Sequence, residues 1–255
     1  ICRVALNCGL FIICRGDSVM NHQELVIEIT QELYKDKNVL ALMLYGSVSR
    51  HEENTYSDID LLVIINEKYC QKRQTVRYGI TVEYLEMHIE YLQNFIAENE
   101  IPVLFTLTEG IVLFDKNSIF DQFIAKAKNI IKKGPPVNNK WENERYKVKK
   151  RSDITEIYKD LLDVDDEIMF TYLISLLITT AIPLLNENYN LWPKTRKKTI
   201  KYLKSQCHDG YVYIETLLSS KFSLPEKRNA AKNLIEYALK QHGGILEGDA
   251  IIFKF

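Results

Sequence analysis

The chain carries no Gly-x-Gly-x-x-Gly fingerprint, no P-loop and no serine-nucleophile elbow. Dinucleotide binding, Walker-type phosphate gripping and hydrolase-type acyl transfer therefore lack their usual sequence carriers. Net charge is close to absent, at -1, so no overall field directs the chain to nucleic acid or to a membrane surface. Five cysteines are present, Cys2, Cys8, Cys14, Cys70 and Cys207, without a C-x-x-C pair or a His/Cys cluster of zinc-ligand spacing. That usage fits a reducing, cytoplasmic setting. Of the five histidines, none has a cysteine or carboxylate at ligand spacing. Internal repeats and low-complexity tracts are absent too. A long uncharged stretch, Met169 to Leu185, falls short of the ~20 apolar residues of a membrane span and includes Ser175 and Pro183. It reads as a buried helix of a bundle, and no membrane partner is expected.

What is present is a chain of 255 residues, 46% of them apolar, enough for one large or two small domains with a real core. Residues 1–19 read as an N-terminal extension with no assigned role. The segment Lys133-Gly-Pro-Pro-Val-Asn-Asn139 is the strongest linker signal. It separates an α/β part, residues 20–134, from an almost wholly helical part, residues 138–255. In the first part Asn21 caps a helix over about 22–35, with Leu25, Val26, Ile29 and Leu33 on one face. Strands are expected at 39–45, 59–65, 80–87 and 111–114, one or two helical turns at 48–52, and helices at 89–99 and 118–132. Residues 66–78 read as a polar, exposed connection. In the second part helices are expected at about 141–162, 165–187, 194–206, 210–220 and 225–242, with a short closing strand at 251–253. The fold class is α+β: a mixed sheet with flanking helices, then an all-α bundle.

The most informative stretch is Leu44 to Val63. An apolar run ends in Gly46-Ser47, a short polar segment follows, and the chain re-enters an apolar run carrying Asp58 and Asp60. Positions i and i+2 of a strand share a face, so both carboxylates enter the same space. Glu83, inside the apolar strand at 80–87, is the natural third acid, because an unpartnered carboxylate there is costly. Glu86 belongs on that strand's opposite face. Magnesium takes oxygen ligands and bridges carboxylates to substrate phosphates, and two such ions can clamp the attacking and leaving oxygens. Gly46 lets the backbone approach a phosphate, with the Ser47 hydroxyl beside it. Arg50 offers a fork of donors one turn on, and Ser57 is placed to orient the Asp58 region. The chemistry suggested is nucleotidyl transfer. Two basic runs, residues 145–151 and 194–204, read mainly as solvated helix faces, with Lys147 or Lys149 as candidates for phosphate neutralisation. Nucleic acid is not an expected partner.

These residues also carry a resemblance. Tyr45-Gly-Ser-Val-Ser-Arg50 with Tyr56-Ser-Asp-Ile-Asp60, and then Val82-Glu83-Tyr84, resemble the polymerase-beta-like nucleotidyltransferase superfamily, closest to its kanamycin (aminoglycoside) nucleotidyltransferase branch. The resemblance implies that Asp58, Asp60 and Glu83 hold magnesium, in a two-metal site. It implies that Gly46, Ser47 and Arg50 contact nucleotide phosphates. The implied reaction moves a nucleoside monophosphate, AMP from ATP, onto a hydroxyl of a small molecule such as an aminoglycoside, releasing pyrophosphate. It further implies a carboxylate base in the helical domain, for which Asp153 lies nearest by length and Glu156 is the alternative, and a homodimer. Two competing functions stand beside this one: a protein adenylyltransferase of antitoxin type, and a nucleotide-binding protein without turnover.

Overall fold

The computed structural model describes residues 20–136 and 139–246, Asn139 by its backbone alone. The chain divides into two compact units, Ile1–Lys128 and Asn129–Phe255. Residues 1–19 and the expected strand at 251–253 lie outside the described residues.

Helix α1, His22–Lys35, starts at a capping box: the Asn21 side chain accepts from the Glu24 amide, and the Glu24 carboxylate accepts from the Asn21 amide. It is followed by β1 (Val39–Tyr45), the single-turn helix α2 (Gly46–Ser49), β2 (Ile59–Ile65), β3 (Cys70–Arg77) and β4 (Ile80–His88). Then come α3 (Ile89–Ala97), α4 (Ile101–Glu109), β5 (Ile111–Asp115) and α5 (Ile119–Lys133), and the unit boundary falls inside α5. The sheet order is β3-β4-β2-β1-β5. β2 and β4 run parallel, and the remaining neighbours are antiparallel. The core explains the placement of β2. Ile59, Leu61, Val63 and Ile65 pack with Leu25, Val26 and Ile29 of α1, while Leu62 and Ile64, facing the other way, are buried as well. A central strand covered on both faces needs a near-continuous apolar run.

Two elements depart from the sequence expectation. Residues 66–78 include β3 rather than a loop. Its side chains alternate between faces, and it occupies the sheet edge, where a polar sequence is tolerated. On one face Arg73 pairs with Glu86 at 2.6 Å, and Arg77 reaches Glu32 at 2.6 Å and Glu28 at 3.3 Å on α1. Ion pairs here take the place of apolar packing. The hairpin into β4 turns on Tyr78 and Gly79, with φ of 52 and 78°, as a two-residue turn between twisted strands requires. Helix α4 fills a span with no expected element; its proline lies in the first turn, where no amide donor is lost.

The second unit is helical: α6 (Glu144–Asp163), α7 (Glu167–Asn188), α8 (Arg196–Gln206), α9 (His208–Leu218) and α10 (Leu224–Leu239). Its core joins Ile154 and Leu161 of α6 to Leu177, Ala181 and Leu185 of α7, Leu203, Ile214 and Leu234. Helix α7 is long and apolar enough to cross a membrane by length and composition alone; one face of it, with Leu177, Ala181 and Leu185, lies in the bundle's core, while Ile168, Met169 and Tyr172 are exposed. Trp192 is buried, and its indole donates to the Ile131 carbonyl at 3.0 Å. Arg151 donates to the carbonyls of Gly243 and Gly244 at 2.7 and 2.8 Å, tying the turn that follows α10 onto α6.

Candidate active site

Strand register gathers the acids. Asp60 of β2 stands opposite Glu83 of the parallel strand β4, and Asp58 precedes Asp60 by two residues on the same face. Each of the three offers one carboxylate oxygen, and these oxygens lie within 4.8 Å of one another. None of the three is fully buried, so the cluster opens to solvent.

The turn after β1 is fitted to this cluster. Tyr45 is the register partner of Asp60, and Gly46 follows it with φ of 77°. A Cβ on Gly46 would fall 1.9 Å from Asp60 Oδ2, so only glycine leaves room for the carboxylate. The charges act on one another. Burial, and then the charges of Asp58 and Glu83, push the Asp60 carboxyl up to about 7. Burial and then the charges of Asp60, Glu83 and Asp58 raise the Tyr45 hydroxyl above its ordinary range. Lys72, on the edge strand, answers with an ammonium 2.6 Å from Glu83 Oε2. That bond, with the charges of Glu83, Asp60 and Asp58, raises the lysine against a smaller opposing effect of burial.

Ser47 lies in α2, and its carbonyl accepts from the Arg50 and Glu52 amides. Arg50 closes α2, with Nε 2.8 Å from Glu52 Oε2 and Nη1 3.5 Å from Glu109 Oε2; a phosphate contact would compete with these pairs. The Ser57 hydroxyl accepts from the Asn54 amide at 2.9 Å, and its carbonyl lies 2.7 Å from His22 Nε2, fixing the loop that delivers Asp58. Glu86 stands apart on the opposite face, buried and held by Arg73 and Gln71. In the second unit Asp153 lies on α6 in an ion pair with Lys149 at 3.0 Å, Glu156 accepts from the Ser152 hydroxyl at 3.2 Å, and Lys147 lies 3.6 Å from Glu144. Sequence reading missed Tyr45 and Lys72. The signal for Lys72 was the alternation within Cys70–Arg77 leading into Tyr78-Gly79.

Among the described residues the group is three carboxylates with no sulfur or nitrogen ligand, a hard-oxygen set that suits magnesium. Oxygens on opposite sides of a magnesium ion stand about 4.2 Å apart, twice the ~2.1 Å bond. The three oxygens, within 4.8 Å of one another, are spaced on that scale. The acids therefore fit such an ion.

Residues 28–119 match the family model described as Polymerase beta, Nucleotidyltransferase. The first unit thus carries a polymerase beta-like nucleotidyltransferase domain, and the match spans Gly46, Ser47, Asp58, Asp60 and Glu83. Among solved structures, a nucleotidyltransferase-like protein from Exiguobacterium sibiricum is similar at 14% identity and a TM-score of 0.47, over 87% of this chain and 75% of that one. No curated protein matches the chain.

Proposed function

We propose that the protein is a metal-dependent nucleotidyltransferase that moves a nucleoside monophosphate, AMP from ATP, onto a hydroxyl of a small molecule. The supporting observation is the convergence of Asp58, Asp60 and Glu83 beside a glycine whose Cβ would collide with the Asp60 carboxylate. In this reading the acceptor oxygen bonds to the α-phosphorus, the bond from that phosphorus to the bridging oxygen breaks, and pyrophosphate leaves with its electron pair. The hydroxyl proton passes to a carboxylate base, Asp153, with Glu156 as the alternative. Asp58, Asp60 and Glu83 would hold magnesium, as one ion or two. Bound there, the metal supplies charge neutralisation on the phosphates. Gly46 and Ser47 receive the phosphates, Arg50 turns from its glutamates to join them, and Ser57 holds the loop before Asp58.

The helical second unit is large enough to shape an acceptor pocket, and an aminoglycoside is the first acceptor to test. A homodimer and a cytoplasmic setting complete the reading. The experiment gives purified protein labelled ATP, GTP, CTP or UTP with magnesium and a panel of aminoglycosides. Pyrophosphate release that depends on a small acceptor supports the proposal. Label appearing only on a partner protein would sink it in favour of protein adenylylation, and tight nucleotide binding without turnover would leave a binding protein. Asp58→Asn and Asp60→Asn should each abolish transfer while the fold persists.

A further inference from the structure

Lys72 and Arg73 are neighbours on β3, and each pairs with a glutamate of β4, but the two pairs are built differently. On the face away from the acid cluster, Arg73 holds Glu86 at 2.6 Å and lies over the Tyr84 ring at 3.7 Å. Glu86 also accepts from Gln71 at 2.7 Å. That pair is locked from several sides, with the glutamate only 7% exposed. On the acid face, Lys72 meets Glu83 through a single ammonium at 2.6 Å, and its side chain is 59% exposed. A lysine stem is flexible and its head well hydrated, and the strand carrying it is at the sheet edge. Leaving Glu83 for water costs such a group little.

The reason for an ammonium here is the crowding of charge. Three carboxylates whose oxygens lie within 4.8 Å repel one another, and Lys72 is the cation set against them. We propose that Lys72 is a stand-in for the metal: it neutralises the cluster while no metal is bound and gives up Glu83 when one enters. This rests on the metal-dependent reading above and adds a residue to it. The contrasting possibility is that Lys72 orients Glu83 as a metal ligand, in the way outer partners hold the ligands of metal sites. The loose, exposed build of the pair, beside the locked Arg73–Glu86 pair, favours exchange over orientation.

The two roles predict opposite signs. Manganese would be titrated into the full chain without nucleotide, and free ion read by electron paramagnetic resonance. Lys72→Met, with Lys72→Gln as a second neutral variant, should bind manganese several-fold tighter than the unaltered protein. Their metal-free melting temperatures should be lower, and the rise on adding manganese larger. Lys72→Arg, which keeps the charge, should show no tightening. Weaker binding in the neutral variants would make Lys72 an orienting partner and overturn the proposal, and so would unchanged binding. Failure of the unaltered protein itself to bind manganese would instead bring down the metal reading, a result distinct from either.

Discussion

Gly46 and Asp60 are built against each other: a Cβ on the glycine would sit 1.9 Å from the carboxylate oxygen Oδ2. The pair links the turn after β1 to the centre of the acid cluster, two features that lie apart in sequence. Gly46→Ala should therefore act on the site in two ways. It strains a backbone whose φ is 77°, and it drives the Asp60 carboxylate out of register with Glu83. A displacement of about an ångström at a reacting centre costs on the order of 10²-fold in rate. The expected outcome is a loss of that size in pyrophosphate release, weaker manganese binding and a retained far-UV circular dichroism spectrum. Near-normal turnover would refute the close fit.

Asp60 also gives the fold a pH dependence of unusual sign. Its carboxyl is pushed up to about 7, whereas in the unfolded chain it titrates near ~3.9. Between those values the folded protein holds a proton that the unfolded chain has lost, so this group's contribution makes stability fall as pH rises through the window. Asp60→Asn removes the effect. Without metal, the variant should melt higher than the unaltered protein at pH 8, with the difference shrinking towards pH 4. Added magnesium should reverse the order at pH 8, because the unaltered site gains a ligand that the variant lacks. Thermal melts at both pH values, with and without magnesium, test this. A variant less stable at pH 8 without metal would show that Asp60 is not under electrostatic stress.

Much of the fold and of the acid cluster was legible in the sequence, for physical reasons. β2 reads as a buried strand because its apolar run is nearly continuous, and the i, i+2 spacing put Asp58 and Asp60 on one face. Asn21 announced α1 through a cap that the structure completes with Glu24. What escaped was held by long-range pairing. β3 is polar because its stability comes from β4 and from Arg77 reaching Glu28 and Glu32 on α1, partners that lie far along the chain. Lys72 escaped with it, since a lysine's role here depends on which glutamate a neighbouring strand presents. The requirement for glycine at position 46 was visible as a turn, but its steric cause, Asp60, appears only in three dimensions.

Glu83 and Glu86 allow a test of strand phase. They lie three residues apart on β4 and so on opposite faces. Glu83→Gln should cost turnover heavily while changing stability little. Glu86→Gln should do the reverse, because it leaves the Arg73 and Gln71 donors short of a buried acceptor. That loss is on the order of 1–3 kcal/mol, with turnover kept at the temperature where the variant is folded. Denaturant unfolding and pyrophosphate release on the same two variants would check both halves. If Glu86→Gln proves the catalytic lesion, the assignment of faces is wrong.

The base assignment can be tested without knowing the acceptor's binding mode. Asp153 sits on α6 in an exposed ion pair with Lys149 at 3.0 Å, and such pairs contribute about 0–1 kcal/mol. Asp153→Asn should thus leave the melting temperature almost unchanged and leave manganese binding intact, since the metal site is formed by other residues. A general base contributes roughly 10²–10⁴-fold to rate, so the turnover number should fall by that order while nucleotide affinity holds. Glu156 provides the comparison. It lies on the same helix, accepting from Ser152, and Glu156→Gln should stay close to the unaltered rate. The reverse outcome would move the base one turn along α6 to Glu156. Normal rates in both variants would remove the base from this helix, leaving the metal-bearing unit to account for the proton. A pH–rate profile separates these cases, because loss of the base removes the acidic limb of the curve, whereas loss of a packing contact shifts only its height.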